Sequence, residues 1–221
     1  MAHKNKSNLS PMASRQGKTH KKPAKIFSEQ EANDRIFDIF RNHEFEDVSH
    51  EVRLGLVKFY LLLMENQKTA NFTRLVSLRD VAIKHFIDCM IIPRLTKLSF
   101  PLLDVGTGPG FPGIPLKLLL EDEKIILAEG VQKRVEFLKQ VREKLNLKNL
   151  DIVGRNINVE FVYPVQGVIT RAVEEVKNTL ANVAGCLQTG GQVFLMKGPG
   201  VDPEIESAKL EWGHYYQLEE N

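Results

Sequence analysis

The feature that most constrains this chain is a glycine-rich stretch near its middle, Leu102-Leu103-Asp104-Val105-Gly106-Thr107-Gly108-Pro109-Gly110-Phe111-Pro112-Gly113. Apolar residues lead into an acid, three glycines follow at alternate positions, and an apolar segment comes after them. This order predicts a buried strand, a tight glycine turn and the start of a helix. A Cβ atom at the glycines would hold a ligand away from the backbone, and glycine reaches the positive φ angles that such turns need. The stretch therefore predicts the opening of a nucleotide-cofactor fold.

The spacing of the glycines indicates which cofactor is bound. A dinucleotide fingerprint has the form G-x-G-x-x-G, but its third glycine would fall at Phe111. The pattern here is G-x-G-x-G with Asp104 two residues before it, the variant typical of methyltransferases that bind S-adenosylmethionine. That ligand has a cationic amino group, which suits an acid, and a carboxylate, which suits the free N–H groups of a helix start. Glu129 ends the next predicted strand, where an acid accepts hydrogen bonds from both ribose hydroxyls.

Strand and helix patterns alternate after the glycine turn. Further strands are predicted at 124–129, 151–154, 167–170, 192–197 and 214–218, and helices at 132–145, 173–186 and 204–210. Such alternation predicts a doubly wound, mostly parallel α/β sheet of the Rossmann-like, class I methyltransferase kind, with the ligand at the carboxyl ends of the strands. Because these sheets normally have seven strands and six are counted, we expect a shortened C-terminal sheet edge.

Composition divides the chain into three regions. Residues 1–26 are predicted to be a disordered basic tail, residues 27–98 a helical cap packed on the core, and residues 99–221 the methyltransferase core. The first 25 residues hold seven Lys or Arg and no acid, which leaves 23 basic and 28 acidic residues, a net charge of −5, elsewhere. The body is therefore not a globally basic nucleic-acid binder, and if it meets RNA we expect contact through a local patch, helped by the tail. The tail either attracts phosphates or is a solubilising extension.

Several classes of protein are excluded. No run of 18 apolar residues exists, so no membrane span is expected, and the polar N-terminus has no secretory signal. Cys89 and Cys186 lie far apart without metal-ligand spacing, which predicts a reduced, cytoplasmic protein without a metal. We expect a monomer.

Short motifs between about residues 70 and 200 go beyond the general fold. They are Asn71-Phe72-Thr73, Arg79-Asp80, His85-Phe86-Ile87-Asp88, Gly110-Phe111-Pro112-Gly113-Ile114-Pro115, Lys133-Arg134-Val135-Glu136-Phe137-Leu138, Ile169-Thr170-Arg171-Ala172 and Leu195-Met196-Lys197-Gly198. Together they resemble the bacterial ribosomal RNA small subunit methyltransferase G family, also called glucose-inhibited division protein B. The resemblance implies methyl transfer from S-adenosylmethionine to N7 of a guanine in 16S ribosomal RNA or a small-subunit precursor. Since N7 carries no proton, direct in-line displacement needs no general base.

The candidate site residues fall mainly at predicted strand ends. Arg171 follows the fourth strand, where its guanidinium contacts guanine O6 or a phosphate; the alternative is a surface arginine paired with Glu174 or Glu175. Lys197 ends the fifth strand and either contacts a phosphate or is an exposed strand-end lysine. Arg171 and Lys197 are the expected catalytic residues. The expected S-adenosylmethionine contacts are Asp104, Gly106, Thr107, Gly108, Gly110, Phe111, Glu129, Arg155 and Arg171.

Other functions stay open at this point. A small-molecule methyltransferase would use the helical cap to enclose its substrate, and a non-catalytic factor would bind S-adenosylmethionine on the ribosome without transferring a methyl group. No Asn-Pro-Pro-Tyr motif follows the fourth strand, which argues against methylation of an amino group. His85 and Asp88 share a helix face, and a structural pair is favoured over a site near the cofactor or RNA.

Overall fold

The computed structural model describes residues 25–67, 69–171 and 174–219. The predicted basic tail therefore lies outside the described residues, apart from Lys25 and Ile26. The chain begins with helices: α1 (Glu29–Arg41), α2 (His50–Gln67), α3 (Leu78–Val81), a π-helical segment (Ala82–Ile87), α4 (Asp88–Met90) and α5 (Ile92–Leu95). It continues through β1 (Leu102–Val105), α6 (Gly113–Leu119), β2 (Ile125–Ala128), α7 (Gln132–Lys144), β3 (Leu150–Val153), β4 (Val165–Arg171), α8 (Val176–Val183), β5 (Leu187–Met196) and α9 (Asp202–Trp212).

The helical region starts with a side-chain cap and contains one irregular helix. Ser28 Oγ accepts a hydrogen bond from the Glu31 N–H at 3.2 Å, as an N-cap should. Within the predicted helical cap, residues 78–95 form short helical pieces around the π-helical segment, and the last piece ends at Leu95. Because π-helical turns are frequent at functional sites, this segment is a candidate part of the functional site.

The five strands form one parallel sheet in the order β3-β2-β1-β4-β5. In this register Asp104 of β1 lies beside Leu127 of β2 and Ile169 of β4. The carboxyl ends of these strands therefore meet at one edge of the sheet, next to the glycine turn. The predicted parallel α/β fold is confirmed.

Apolar side chains cover both faces of the sheet. On one face the helical region, α6 and α7 share a single core with the strands, in which the Phe59 ring lies 5.2 Å from Phe111 and 6.4 Å from Phe137. On the other face Val105 and Val168 pack with Val183 of α8. Within the described ranges, no helix is both long and apolar enough to cross a membrane.

The predicted strand at 214–218 is wrong. These residues form a turn and an irregular segment, so within the described residues the sheet ends at β5 and its shortened edge is confirmed. Tyr216 and Leu218 pack against Val176 and Leu180 of α8, and the Tyr216 hydroxyl donates to the Leu180 carbonyl at 3.3 Å. The alternating apolar pattern is satisfied by contact with a helix instead of by strand pairing.

Candidate functional site

The glycine turn has the backbone conformation that the sequence predicts. Gly106, Gly108 and Gly110 have φ angles of 67°, 60° and 114°. A Cβ atom added to Gly108 would meet no atom within 4 Å, so the turn leaves open space on that side. A Cβ atom added to Gly113 would lie 2.7 Å from Asp104 Oδ2. Gly113 therefore allows the helix start to approach the acid closely.

Asp104 is fully buried beneath the turn and uses one carboxylate oxygen to hold it. Its Oδ2 accepts hydrogen bonds from Thr107 Oγ1 at 2.6 Å and from the Gly113 N–H at 2.8 Å. Its Oδ1 is buried and has no partner among the described residues. Burial raises the pKa of Asp104 to about 7, against the lowering effect of these two hydrogen bonds. The second oxygen is therefore available to a cationic donor.

Glu129 follows β2 directly and is 5% exposed. Its carboxylate accepts from the Val131 N–H at 2.8 Å and from Arg134 Nη1 at 3.4 Å. A Cβ atom added to Gly130 would lie 2.1 Å from Asn156 Oδ1. The loops after β2 and β3 are therefore in close contact, which the sequence did not predict.

A cavity of about 310 Å³ lies at the carboxyl ends of β1 and β2. It is lined by Val105, Gly106, Ala128, Asn156, Ile157, Glu174 and Asn182. Gly106 is the one predicted cofactor contact among them. Asn156 and Glu174 shortly follow the ends of β3 and β4, a position that signals a site, but only the folded loops show that they face this cavity. Larger cavities of about 480 and 510 Å³ lie between helices and hold none of the predicted site residues.

These residues fit S-adenosylmethionine. The open side of Gly108 admits a ligand against the backbone, and the unpartnered oxygen of Asp104 suits its ammonium group. Glu129 stands at the strand end where an acid receives ribose hydroxyls. The glycine turn and its two acids are therefore suited to hold S-adenosylmethionine.

Arg171 ends β4 and is held by the helical region on the same sheet face as Asp104. Its Nη1 donates to Asp88 Oδ2 at 3.1 Å and to the Lys84 carbonyl at 3.3 Å. Its Nη2 lies 3.0 Å from His85 Nδ1. The guanidinium carbon lies 5.3 Å from the centre of the Phe111 ring. The carboxylate partner is thus Asp88, and neither Glu174 nor Glu175 pairs with Arg171.

The other predicted residues lie in three different surroundings. Lys197 is 14% exposed, and its Nζ donates to Glu204 Oε2 at 2.8 Å and to the Glu174 carbonyl, so it is not an exposed strand-end lysine. Phe111 is 3% exposed and stacks on His85 with ring centres 4.2 Å apart. Arg155 is exposed and donates to Asn158 Oδ1 at 2.8 Å. Lys197 and Phe111 therefore contact other side chains and backbone groups of the protein, whereas Arg155 lies on the surface.

Comparisons with known proteins agree with the geometry of the site. The GidB family model, described as rRNA small subunit methyltransferase G, matches residues 54–219, a wider range than the motifs predict. The ribosomal RNA small subunit methyltransferase G 2 of Bdellovibrio bacteriovorus is 66% identical over 199 residues, which cover 90% of this chain and 78% of that protein. A protein of the same name from Syntrophobacter fumaroxidans is 42% identical, over 75% of this chain but 34% of that protein. Ribosomal RNA small subunit methyltransferase G of Clostridium tetani is 36% identical, over 70% of this chain and 68% of that protein. The chain therefore belongs to the rRNA small subunit methyltransferase G family.

Proposed function

We propose that this protein transfers a methyl group from S-adenosylmethionine to N7 of a guanine in 16S ribosomal RNA or its small-subunit precursor, in the cytoplasm. The observation that carries the proposal is the position of Arg171, which ends β4 beside the glycine turn. Arginine has five N–H groups, and Arg171 donates three of them within the protein. The other two have no acceptor in the part of the chain that the structure describes, and they are the donors that guanine O6 or a phosphate requires.

The chemistry of the acceptor decides what the protein has to supply. S-adenosylmethionine provides an electrophilic methyl group on a sulfonium sulfur, and guanine N7 has an in-plane lone pair and no proton. The chain therefore needs to hold and align its substrates, and it needs no general base. The surroundings of His85 are consistent with this, because burial and the adjacent Arg171 lower the pKa of His85 to about 3 and Arg171 already occupies its Nδ1.

Each residue has a distinct role in this proposal. Asp104 binds the ammonium group and Glu129 binds the ribose, while Gly108 allows the ligand to reach the backbone. Arg171 contacts the guanine or its phosphate and leaves N7 free to attack. Lys197 is assigned a supporting role, since its Nζ ties the Glu174 wall of the cavity to α9.

The test is transfer of labelled methyl groups to RNA from cells that lack this protein. We expect label as 7-methylguanosine in small-subunit RNA with the full-length protein. Arg171→Ala should reduce the rate by about 100-fold or more, as loss of one aligned transition-state donor does, without changing the affinity for S-adenosylmethionine more than twofold or so. Arg41→Ala, at an exposed arginine of α1 that pairs with Asp38, is the matched control and should keep near-normal activity.

The competing functions give different results in the same assay. Binding of S-adenosylmethionine without labelled RNA would contradict the proposal and indicate a non-catalytic binding factor. Label confined to small molecules would indicate a small-molecule methyltransferase. Equal activity of Arg171→Ala and Arg41→Ala would contradict the role given to Arg171.

A further inference from the structure

The contact between Arg171 and His85 fixes the state of the histidine ring. Arginine is only a donor, so His85 Nδ1, 3.0 Å from Arg171 Nη2, must be an unprotonated acceptor. The proton of the neutral ring then sits on Nε2, which lies 3.1 Å from Thr73 Oγ1. The ring is therefore held from both sides, as an acceptor from Arg171 and as a donor to Thr73.

The loop that carries Thr73 is itself anchored in the core. Thr73 Oγ1 also accepts from the Leu75 N–H at 3.0 Å. The fully buried Gln67 accepts from the Phe72 and Thr73 N–H groups at 2.9 and 3.1 Å and donates to the Thr73 carbonyl at 2.9 Å. Through this chain of contacts the end of α2 determines where the His85 ring stands.

The π-helical segment brings the remaining contacts of Arg171 together. Lys84 and His85 belong to it, and Asp88 follows it directly. One short stretch thus presents a carbonyl, a ring nitrogen and a carboxylate to the same guanidinium. The Asp88 side chain is 48% exposed, whereas the Arg171 side chain is 19% exposed. The Arg171–Asp88 ion pair is therefore partly accessible to solvent on its Asp88 side.

We propose that His85 is a positioning residue for the reaction: its Nδ1, aligned by Thr73, orients Arg171 so that the two free N–H groups of the guanidinium meet the guanine or its phosphate. The proposal rests on the function proposed above for Arg171. It also explains why the 71–73 and 85–88 motifs lie close together, and it replaces the expectation that His85 and Asp88 form a pair of their own. The competing explanation is packing alone, because the ring also stacks on Phe111 at 4.2 Å.

Two substitutions separate orientation from packing. His85→Phe keeps a ring against Phe111 but removes the acceptor, whereas His85→Asn places an amide oxygen near the position of Nδ1 and removes the ring. We expect His85→Phe to lower kcat by about 10- to 100-fold, since a hydrogen bond to a charged group is lost, and His85→Asn to retain activity within about threefold. The KM for S-adenosylmethionine should not change in either variant. Equal losses in both variants, or a greater loss in His85→Asn, would overturn the proposal.

A double substitution tests whether His85 acts through Arg171. In an Arg171→Ala background, His85→Phe should cause little further loss, because the group that it orients is absent. If the two losses multiply, His85 acts independently of Arg171 and the proposal is wrong. Thr73→Ser, which keeps the hydroxyl, should remain active, while Thr73→Val should show part of the His85→Phe loss.

A spectroscopic measurement remains valid if the protein methylates no RNA at all. In the ¹⁵N spectrum of the wild-type protein at neutral pH, His85 should show an unprotonated Nδ1 and a protonated Nε2. A proton on Nδ1 would overturn the proposal, since that nitrogen could then accept nothing from Arg171. Absence of labelled RNA together with the expected tautomer would reject the proposed function and leave the Arg171–His85 contact established.

Discussion

Replacement of Gly108 by alanine tests whether the glycine turn is shaped for a ligand. Gly108 and Gly190 both have positive φ angles, 60° and 77°, and a Cβ atom at either position would meet nothing within 4 Å. Alanine in this left-handed region costs about 1–2 kcal/mol, so both variants should lose a similar free energy of unfolding. For a protein of this size that corresponds to a decrease in melting temperature of about 2–8 °C.

The two variants should differ in their affinity for S-adenosylmethionine. Gly108 lies in the turn proposed to hold the ligand, whereas Gly190 lies in β5. A methyl group forced into space that the ligand fills costs about 1–3 kcal/mol, which weakens binding by about 5- to 150-fold. Calorimetric titration of both variants and the wild type measures this directly. Equal affinities of Gly108→Ala and Gly190→Ala would refute the argument that the open side of Gly108 admits the cofactor.

Three further predictions concern the cofactor acid, the β5 lysine and the tail. Because burial raises the pKa of Asp104 to about 7, the carboxyl group is mostly neutral at pH 6, and the affinity for S-adenosylmethionine should rise about fivefold between pH 6 and pH 7, where the α-amino group of the ligand is still mostly protonated. Asp104→Asn should bind weakly with no such rise, and an unchanged slope in that variant would contradict the assignment. By the same shift, Asp104 favours the folded cofactor-free protein below pH 4, and that contribution is lost as the pH rises through 7. Lys197→Met should lower the melting temperature and weaken cofactor binding, whereas Lys209→Met, in an exposed ion pair of α9, should change neither. Equal changes of melting temperature and affinity in the two variants would contradict a supporting role for the Lys197 contacts. Joint replacement of Lys21 and Lys22 by glutamine should reduce the slope of log affinity for RNA against log salt by between about 1.4 and 1.8, and an unchanged slope would favour a solubilising role for the tail.

Tertiary contacts explain where the sequence-based predictions failed. Arg171 was expected to have Glu174 or Glu175 as its alternative partner, because sequence reasoning considers neighbours first. Its partners are Lys84, His85 and Asp88, more than eighty positions away along the chain. The residues that line the cavity at the ends of β1 and β2 were missed for a similar reason, since Asn156 and Asn182 reach it from a loop and a helix whose paths the spacing does not specify.

What the sequence determined by itself is the local chemistry of the glycine turn. The acid and the three glycines at alternate positions lie within seven residues, 104–110, and the second acid, Glu129, is located by the end of the next predicted strand, so their consequence can be predicted without the fold. Alternating apolar strands and helices likewise determined the parallel sheet, because each element must bury its apolar face. Whether an apolar face meets a strand or a helix is decided by packing, and for this reason the segment at 214–218 lies on α8 instead of extending the sheet. Only the tertiary structure determined which groups hold Arg171 and Lys197, because long side chains take their partners from whatever the fold places within reach.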